Sequence, residues 1–407
     1  MDRDKVLREN TEYILRQVRH VIETFGPRPP GGPGETAAQA HAAEELRTFT
    51  DDVLDETFEV HPKAFMGFAP VTAVLLLIST GMYWLWPWAA LPLTAAALFI
   101  AVAELILYRQ LLDPLFPKCE SHNVTGVIRP AGEVKRRIIL SGHMDAAYEW
   151  RYSQYSRGLL KAIILLSFGG IFFKTAVDAT AVFSGHDWSG GYGNIWGALG
   201  LIQMVFAPVF ASLLFFSNFS RTVPGANDNL SGLFVAMAAA KSLREMGRNF
   251  EHTEINVVNM GSEEAGLRGA KAYAARHQAE LEEVETVFIA LETLRELPHL
   301  AVYNRDLNGL VKHHEGAAEL LRQAGERLGR KLPFASIFLG ASDAAAFSQA
   351  GIPAVALAAM YPAPARYYHT RSDDWENMDP ECLRIALEIT LEAVELFDAH
   401  GLPKTGA

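Results

Sequence analysis

The stretch Ile138-Ile139-Leu140-Ser141-Gly142-His143-Met144-Asp145 is an apolar strand that runs directly into two ionisable side chains. Alternate residues of an extended chain point the same way, so His143 and Asp145 are expected to face together where the strand ends. His143 can ligate a metal while Asp145 orients its imidazole or a neighbouring group. On its own the pair also fits exposed loop residues, so its meaning depends on what else converges there.

Two further runs end in the same manner. Glu263-Glu264 closes the run Glu254–Met260 and is bracketed by Gly261 and Gly266. Adjacent strand residues face opposite sides, so both carboxylates serve one site only if the chain turns, which those glycines permit. Glu292 ends Val287-Phe288-Ile289-Ala290-Leu291, and the carboxyl ends of strands are where open α/β sheets place ligands. Asp228 lies in Gly225-Ala226-Asn227-Asp228-Asn229-Leu230-Ser231-Gly232, just before a helical run. It either caps that helix or offers a carboxylate to a cation. His369, in Tyr367-Tyr368-His369-Thr370-Arg371-Ser372-Asp373, supplies a second imidazole. His122, His186, His299, His313 and His314 lack ligand-like surroundings and are expected at the surface.

Around these motifs strands and helices alternate. Strands are predicted at Leu54–Val60, Asn123–Arg129, Arg137–Ser141, Glu254–Met260, Thr286–Leu291 and Ala354–Ala358, mostly short β-branched runs. Helices are predicted at Val6–Thr24, Glu35–Asp51, Ser231–Met246, Leu267–Glu280, Ala317–Leu328 and Glu381–Ala399. The last opens on Asp379-Pro380, a capping residue followed by proline, and stops at Gly401. The pattern is an α/β sheet sandwiched by helices. The Gly/Pro-rich segment 26–34 lacks the Gly-Lys-Ser/Thr ending of a phosphate loop and reads as a connection between two helices.

Four apolar runs interrupt this scaffold, at about 65–86, 88–108, 159–183 and 195–216. A run of about 21 residues makes roughly 32 Å of helix, enough to cross a bilayer core. Pro87 separates the first two, and Trp84, Trp86 and Trp88 gather there as an interfacial belt would. Lys161, Lys174 and Asp178 make the third the least regular span; Lys174 and Asp178, four apart, either neutralise each other or the segment snorkels. Lys63, Arg109, Lys118, Arg151, Arg157 and Arg221 flank the open ends of the two hairpins, whereas the tips carry no Lys or Arg. By the positive-inside rule the catalytic body and both termini are expected in the cytoplasm of a bacterial-type inner membrane. Half of the 407 residues are hydrophobic, which suits a soluble body with a few membrane segments. The net charge of -11 argues against nucleic acid, and two cysteines far apart argue against a disulfide framework. The charged start, Met1-Asp2-Arg3-Asp4-Lys5, predicts no secretory signal. The expected organisation is a body of residues 1–62, 111–150 and 221–407, with hairpins inserted at 63–110 and 151–220.

Taken together, the strand-end motifs resemble those of metallopeptidase family 28, the co-catalytic zinc exopeptidases that include aminopeptidases and glutamate carboxypeptidase. The resemblance extends to Gly26-Pro27-Arg28, Gly340-Ala341-Ser342-Asp343 and Gly351-Ile352-Pro353. It implies a mixed central sheet of the zinc exopeptidase type and two zinc ions per chain. One zinc would be held by His143, Asp228 and Glu292, the other by Asp228, Glu264 and His369. Glu263 would be the general base, and Tyr368, with Tyr367 as competitor, the oxyanion-stabilising tyrosine. A cis peptide at Asp228–Asn229 is implied as well. The sequence departs from the family in carrying Glu292 where aspartate is common, and in the long separation of His143 from Asp228.

The expected activity is therefore a membrane-anchored zinc aminopeptidase acting on peptides or lipopeptides that arrive along the bilayer. A carboxypeptidase, another amidohydrolase and a glutaminyl-cyclase-like acyltransferase are alternatives that Glu292 mildly encourages. An inactive receptor or scaffold is the alternative of another class, although buried carboxylates are costly to hold together without a metal. The hairpins could equally form a homodimer interface.

Overall fold

The computed structural model describes residues 2–337, 339–360 and 365–404. The chain divides into two compact units, one of residues 1–62, 118–148 and 221–407, the other of residues 63–117 and 149–220. Residues 111–117, expected in the first unit, group with the second. There Glu104, buried in the π-turn Val102–Ile106, accepts the amide of Leu112 at 2.7 Å.

The first unit is built on a nine-stranded mixed sheet. Its strands are β1 (Asp52–Val60), β2 (Cys119–Ile128), β3 (Arg136–His143), β4 (Thr253–Met260), β5 (Glu285–Leu294), β6 (Ala301–Asp306), β7 (Val311–Lys312), β8 (Phe334–Ser336) and β9 (Ala354–Ala359). They run in the order β1-β2-β4-β3-β5-β9-β6-β8, with β7 pairing β6. The central β4, β3, β5 and β9 are parallel, so their carboxyl ends emerge on one edge. Strand alternation separates the two faces of β5. Val287, Ile289 and Leu291 join the large core formed with the helices Ser231–Glu245 and Pro380–His400, while Phe288 stacks on Phe347 of the opposite layer at 3.7 Å. Each fully buried side chain of this size contributes about 1.5–3 kcal/mol.

The helix Ser231–Glu245 is buried along nearly its whole length, and its alanines let it lie close to the strands. Gly232 marks the nearest approach: a Cβ there would stand 1.9 Å from the carbonyl oxygen of Leu291. Asp379 caps the final helix by accepting the amides of Glu381 and Cys382, and Gly401 ends it with φ +68°. Strands β6, β7 and β8 and the helix Asp343–Gln349 add to the expected elements, whereas the helix expected over 35–51 ends at Leu46.

The second unit contains four helices long and apolar enough to cross a membrane, Ala64–Leu85, Pro87–Ile106, Arg157–Phe183 and Ile195–Leu213. Many large apolar side chains point outward from them, including Phe99, Leu165 and Val205. Within the unit, Leu76, Ala97, Ile171 and Phe210 form one apolar cluster, and Tyr83, Ala90, Val177 and Ala181 another. Lys174 does not snorkel: it is 1% exposed and pairs with Asp178 at 3.0 Å.

Candidate metal centre

The carboxyl edge of β3, β4 and β5 delivers the site. His143 is the last residue of β3, Glu263-Glu264 follow β4, and Glu292 lies near the end of β5. The loop preceding the helix Ser231–Glu245 brings Asp228, and His369 comes from the segment beyond β9. His143, Asp228, Glu263, Glu292 and His369 are buried.

Asp228 is the centre of the group. Its Oδ1 lies 3.5 Å from His143 Nε2 and its Oδ2 lies 3.2 Å from His369 Nε2, one oxygen to each imidazole. Around His143 Nε2 stand Glu292 Oε1 at 3.6 Å and Glu263 Oε2 at 3.7 Å. Glu264 Oε1 is 3.2 Å from His369 Nε2. The residues named from sequence are thus brought into one cluster. Among the described residues, His143, Asp228 and Glu264 each offer a ligand atom, and these atoms lie within 4.8 Å of one another.

Local structure explains the aim of each group. The turn at Glu263–Ala265 is a short 3-10 segment preceded by Ser262 in a left-handed conformation, φ +53°. Of the two glycines expected to permit the turn, Gly266 closes it with φ +96°, whereas Gly261 is a packing site, where a Cβ would meet the carbonyl of His122 at 2.3 Å. Asp145 fixes this turn by accepting the amides of Glu263 and Glu264, each at 2.9 Å, and lies 3.3 Å from His143 Nδ1. The peptide Asp228–Asn229 is cis. Asn229 ties its loop to β5 through Leu291 O at 2.9 Å and the amide of Thr293 at 3.2 Å. From the other side, Asp373 accepts the amides of Asn227 and Asp228 at 2.9 and 3.1 Å.

Several of these supports carry little signal in the sequence. Arg28 is completely buried and donates to the carbonyls of Met144 at 3.0 Å and Pro224 at 2.6 Å, joining the loops behind His143 and Asp228. Glu35 accepts from the amides of Gly31 and Ser262, each at 2.6 Å, and from the Ser121 hydroxyl at 2.9 Å. His313, expected at the surface, is buried between Ser348 Oγ at 2.7 Å and Asp306 Oδ2 at 3.2 Å. Asp306 in turn accepts the amide of Ser342 at 3.0 Å, holding the turn that presents Asp343. Asp343 is buried, and neither of its carboxylate oxygens has a hydrogen-bond partner among the described residues.

Two tyrosines compete for the oxyanion role, and their settings differ. Tyr367 is buried beneath the Arg295 guanidinium, 4.9 Å from its ring centroid. Tyr368 is half-buried and stacks on the His369 ring at 4.0 Å. His369 itself has φ +53°, uncommon outside glycine.

The electrostatics favour a cation. Burial opposes charge on His143, yet Glu263, Asp145, Asp228 and Glu292 together hold its pKa far above the usual imidazole range. Burial likewise opposes charge on His369, but Glu264 and Asp228 raise it to about 10. Burial pushes Glu263 well up, with Glu264, Asp343 and Glu292 adding to the shift against His143. Glu292 is raised to about 8, chiefly by burial. Against its own burial, Asp228 is held below the usual carboxylate range by hydrogen bonds to both imidazoles. A group of acids that draws protons onto two neighbouring imidazoles also suits divalent metal with nitrogen and oxygen ligands. Glu292 Oε2, buried without a hydrogen-bond partner among the described residues, is a further ligand oxygen for such an ion.

The model of peptidase family M28 matches residues 212–394. No curated protein sequence matches the chain. Among solved structures, the zinc aminopeptidase BSAP from Bacillus subtilis superposes with a TM-score of 0.57 at 15% identity, covering 98% of this chain and 96% of that one. A glutaminyl cyclase from an Acidobacteriales bacterium gives 0.56 at 15% identity, with 97% and 96% covered. The LapA aminopeptidase of Legionella pneumophila gives 0.55 at 12% identity, with 99% and 75% covered. At these identities the likeness establishes the fold, a mixed α/β sheet flanked by helices.

Proposed function

We propose that this chain, a member of peptidase family M28 through residues 212–394, is a membrane-anchored exopeptidase that removes residues from free amino termini with the help of two zinc ions. The observation that carries the reading is the division of the Asp228 carboxylate between His143 and His369, the arrangement needed for one carboxylate to serve two cations. His143 and Glu292 would complete one ion's ligands, Glu264 and His369 the other's. Zinc ions so held would polarise a scissile carbonyl and lower the pKa of water.

The chain's own groups supply the rest. Glu263, its proton affinity raised by burial, accepts a proton from the attacking water and returns it to the leaving amine. Asp145 is a positioning residue that holds both the Glu263-Glu264 turn and His143. The hydroxyl of the half-buried Tyr368, whose ring stacks on His369, is the donor for the developing oxyanion.

An amino terminus suits this site better than a carboxyl terminus. Asp343, with neither carboxylate oxygen hydrogen-bonded among the described residues, is an acid committed to neither metal nor base and suits an ammonium group, and Arg28 is already committed to backbone carbonyls. Membrane anchoring is supported by the four apolar helices and their outward-facing side chains. The positive flanks at Lys63, Arg109, Lys118, Arg151, Arg157 and Arg221 support a cytoplasmic catalytic unit receiving peptides or lipopeptides.

A second reading, glutaminyl cyclisation, is favoured by Glu292 and by the cyclase among the structural neighbours. A panel of aminoacyl amides, N-acylated controls and a peptide with amino-terminal glutamine separates the two. Chelator-sensitive hydrolysis of free but not blocked amides supports the aminopeptidase; closure of the glutamine peptide without amide hydrolysis replaces it with the cyclase. Extraction with alkaline carbonate tests the anchoring.

A further inference from the structure

We propose that a polar knot shared by all four apolar helices is the recognition site through which the two inserted hairpins pair with each other inside the bilayer, closing them into one body within a single chain. The inference rests on the membrane reading above and adds to it the partner of each hairpin's inner face, which is the other hairpin.

The helix Arg157–Phe183 supplies Lys174 and Asp178 one turn apart, and the remaining helices supply one side chain each. Lys174 Nζ lies 3.0 Å from Asp178 Oδ2 and donates to Gln203 Oε1 at 2.8 Å. Gln203 Nε2 donates to Asp178 Oδ1 at 3.0 Å. The Thr94 hydroxyl donates to Asp178 Oδ2 at 2.6 Å, and the Ser79 hydroxyl stands 2.7 Å from that of Thr94. All five residues are at most 1% exposed, and none has a buried polar atom lacking a partner.

Hydrocarbon offers no hydrogen bonds, so an ion pair within it must find its partners in protein. Asp178 Oδ1 takes its partner from Gln203 and Oδ2 from Lys174 of its own helix, and the shortest of its bonds, from Thr94, crosses from the first hairpin. An isolated hairpin would leave either a hydroxyl pair or an under-solvated ion pair facing lipid. Apolar packing alone discriminates poorly in a bilayer, because lipid tails are as apolar as leucine. The knot therefore supplies the specificity and the register that the surrounding leucines, alanines and phenylalanines do not. It also gives these five residues internal partners, so a second copy of the chain has no claim on them.

Tryptophan emission reads this unit selectively, since of the seven tryptophans all but Trp375 lie within it. Full-length protein in lipid discs is heated while emission is followed. Lys174→Met and Asp178→Leu should each lower the midpoint by roughly 5 °C or more, because each leaves one buried charge unpaired. The double variant K174M/D178L should recover most of that loss. Thr94→Val should lower the midpoint in the native background and have little further effect beside Asp178→Leu.

Single variants within about 1 °C of the native midpoint would overturn the proposal, as would strictly additive effects in the Thr94–Asp178 cycle. So would native discs holding two chains that fall to one in Asp178→Leu. Alkaline carbonate distinguishes the two layers of the argument: release of the native protein overturns the membrane assignment, whereas retention with an additive cycle overturns the pairing alone.

Discussion

Asp145 Oδ1 accepts the backbone amide of Glu263 at 2.9 Å while lying 3.3 Å from His143 Nδ1. One buried carboxylate thereby sets the angle of an expected base and the ring plane of an expected ligand. Asparagine retains a single accepting oxygen and offers an NH₂ where an acceptor is needed. Asp145→Asn is expected to lower kcat or zinc affinity by about 10–100-fold, the usual cost of losing an outer partner of a metal ligand. Kinetics together with zinc titration provide the measurement.

Glu263 has a different signature. Replacing it with glutamine preserves the turn, because the contacts with Asp145 are made by backbone amides. Zinc content should therefore remain unchanged while kcat falls by about 10²–10⁴-fold, the range for losing a positioned proton acceptor. A Glu263→Gln enzyme within tenfold of native turnover and fully loaded with zinc would remove this residue from the mechanism.

Asp228 and His369 should be separable by stoichiometry. Asp228 faces both imidazoles, so Asp228→Ala is expected to reduce bound zinc to less than one ion per chain. His369→Ala touches only one side of that carboxylate and should leave about one tightly held ion, since a catalytic zinc is held by about three protein ligands and His143, Asp228 and Glu292 remain. Metal analysis after dialysis against a weak chelator reads the difference directly.

Glu35 gives the protein a pH dependence. Burial, then Asp145, raises its pKa to about 8 from an ordinary value of 4.5, despite hydrogen bonds from Ser262, Ser121 and Gly31. The folded state then binds more protons than the unfolded state between those values. This contribution to stability is complete below pH 4.5 and is lost as pH rises through about 8. Glu35→Gln should flatten the fall in thermal midpoint over that window, whatever its effect on the absolute midpoint. Parallel pH profiles for the two proteins would contradict the assignment.

The sheet's centre and the order of the site residues were legible because β3 and β5 carry apolar runs that lead into His143 and Glu292, and the β-branched-rich β4 is followed closely by Glu263-Glu264. A strand-end acid after five buried residues is a conspicuous event in any sequence. Strands β6 to β8 gave no such signal: Asn304, Arg305 and Asp306 are polar, and β7 and β8 are two and three residues long, too short for alternation to register. Arg28 and Glu35 were equally silent as structural supports, since the groups they hold on other elements lie 86 to 227 residues away in the chain. The inserted helices were legible from length and apolarity alone, but the partner of Lys174 on the neighbouring helix, Gln203, has no sequence spacing to announce it.

Asp373 and His369 share one short segment, and Asp373 holds the amides of Asn227 and Asp228. The last imidazole and the clamp on the central carboxylate are therefore translated together, long after His143 and both hairpins have left the ribosome. Chains grow from the amino terminus and begin folding as they emerge, so the nascent protein carries an incomplete ligand set until residue 373 is made. Completion of the second of the two proposed ligand sets is consequently a late event in biogenesis, and a chain truncated before that segment would lack both His369 and the clamp on Asp228.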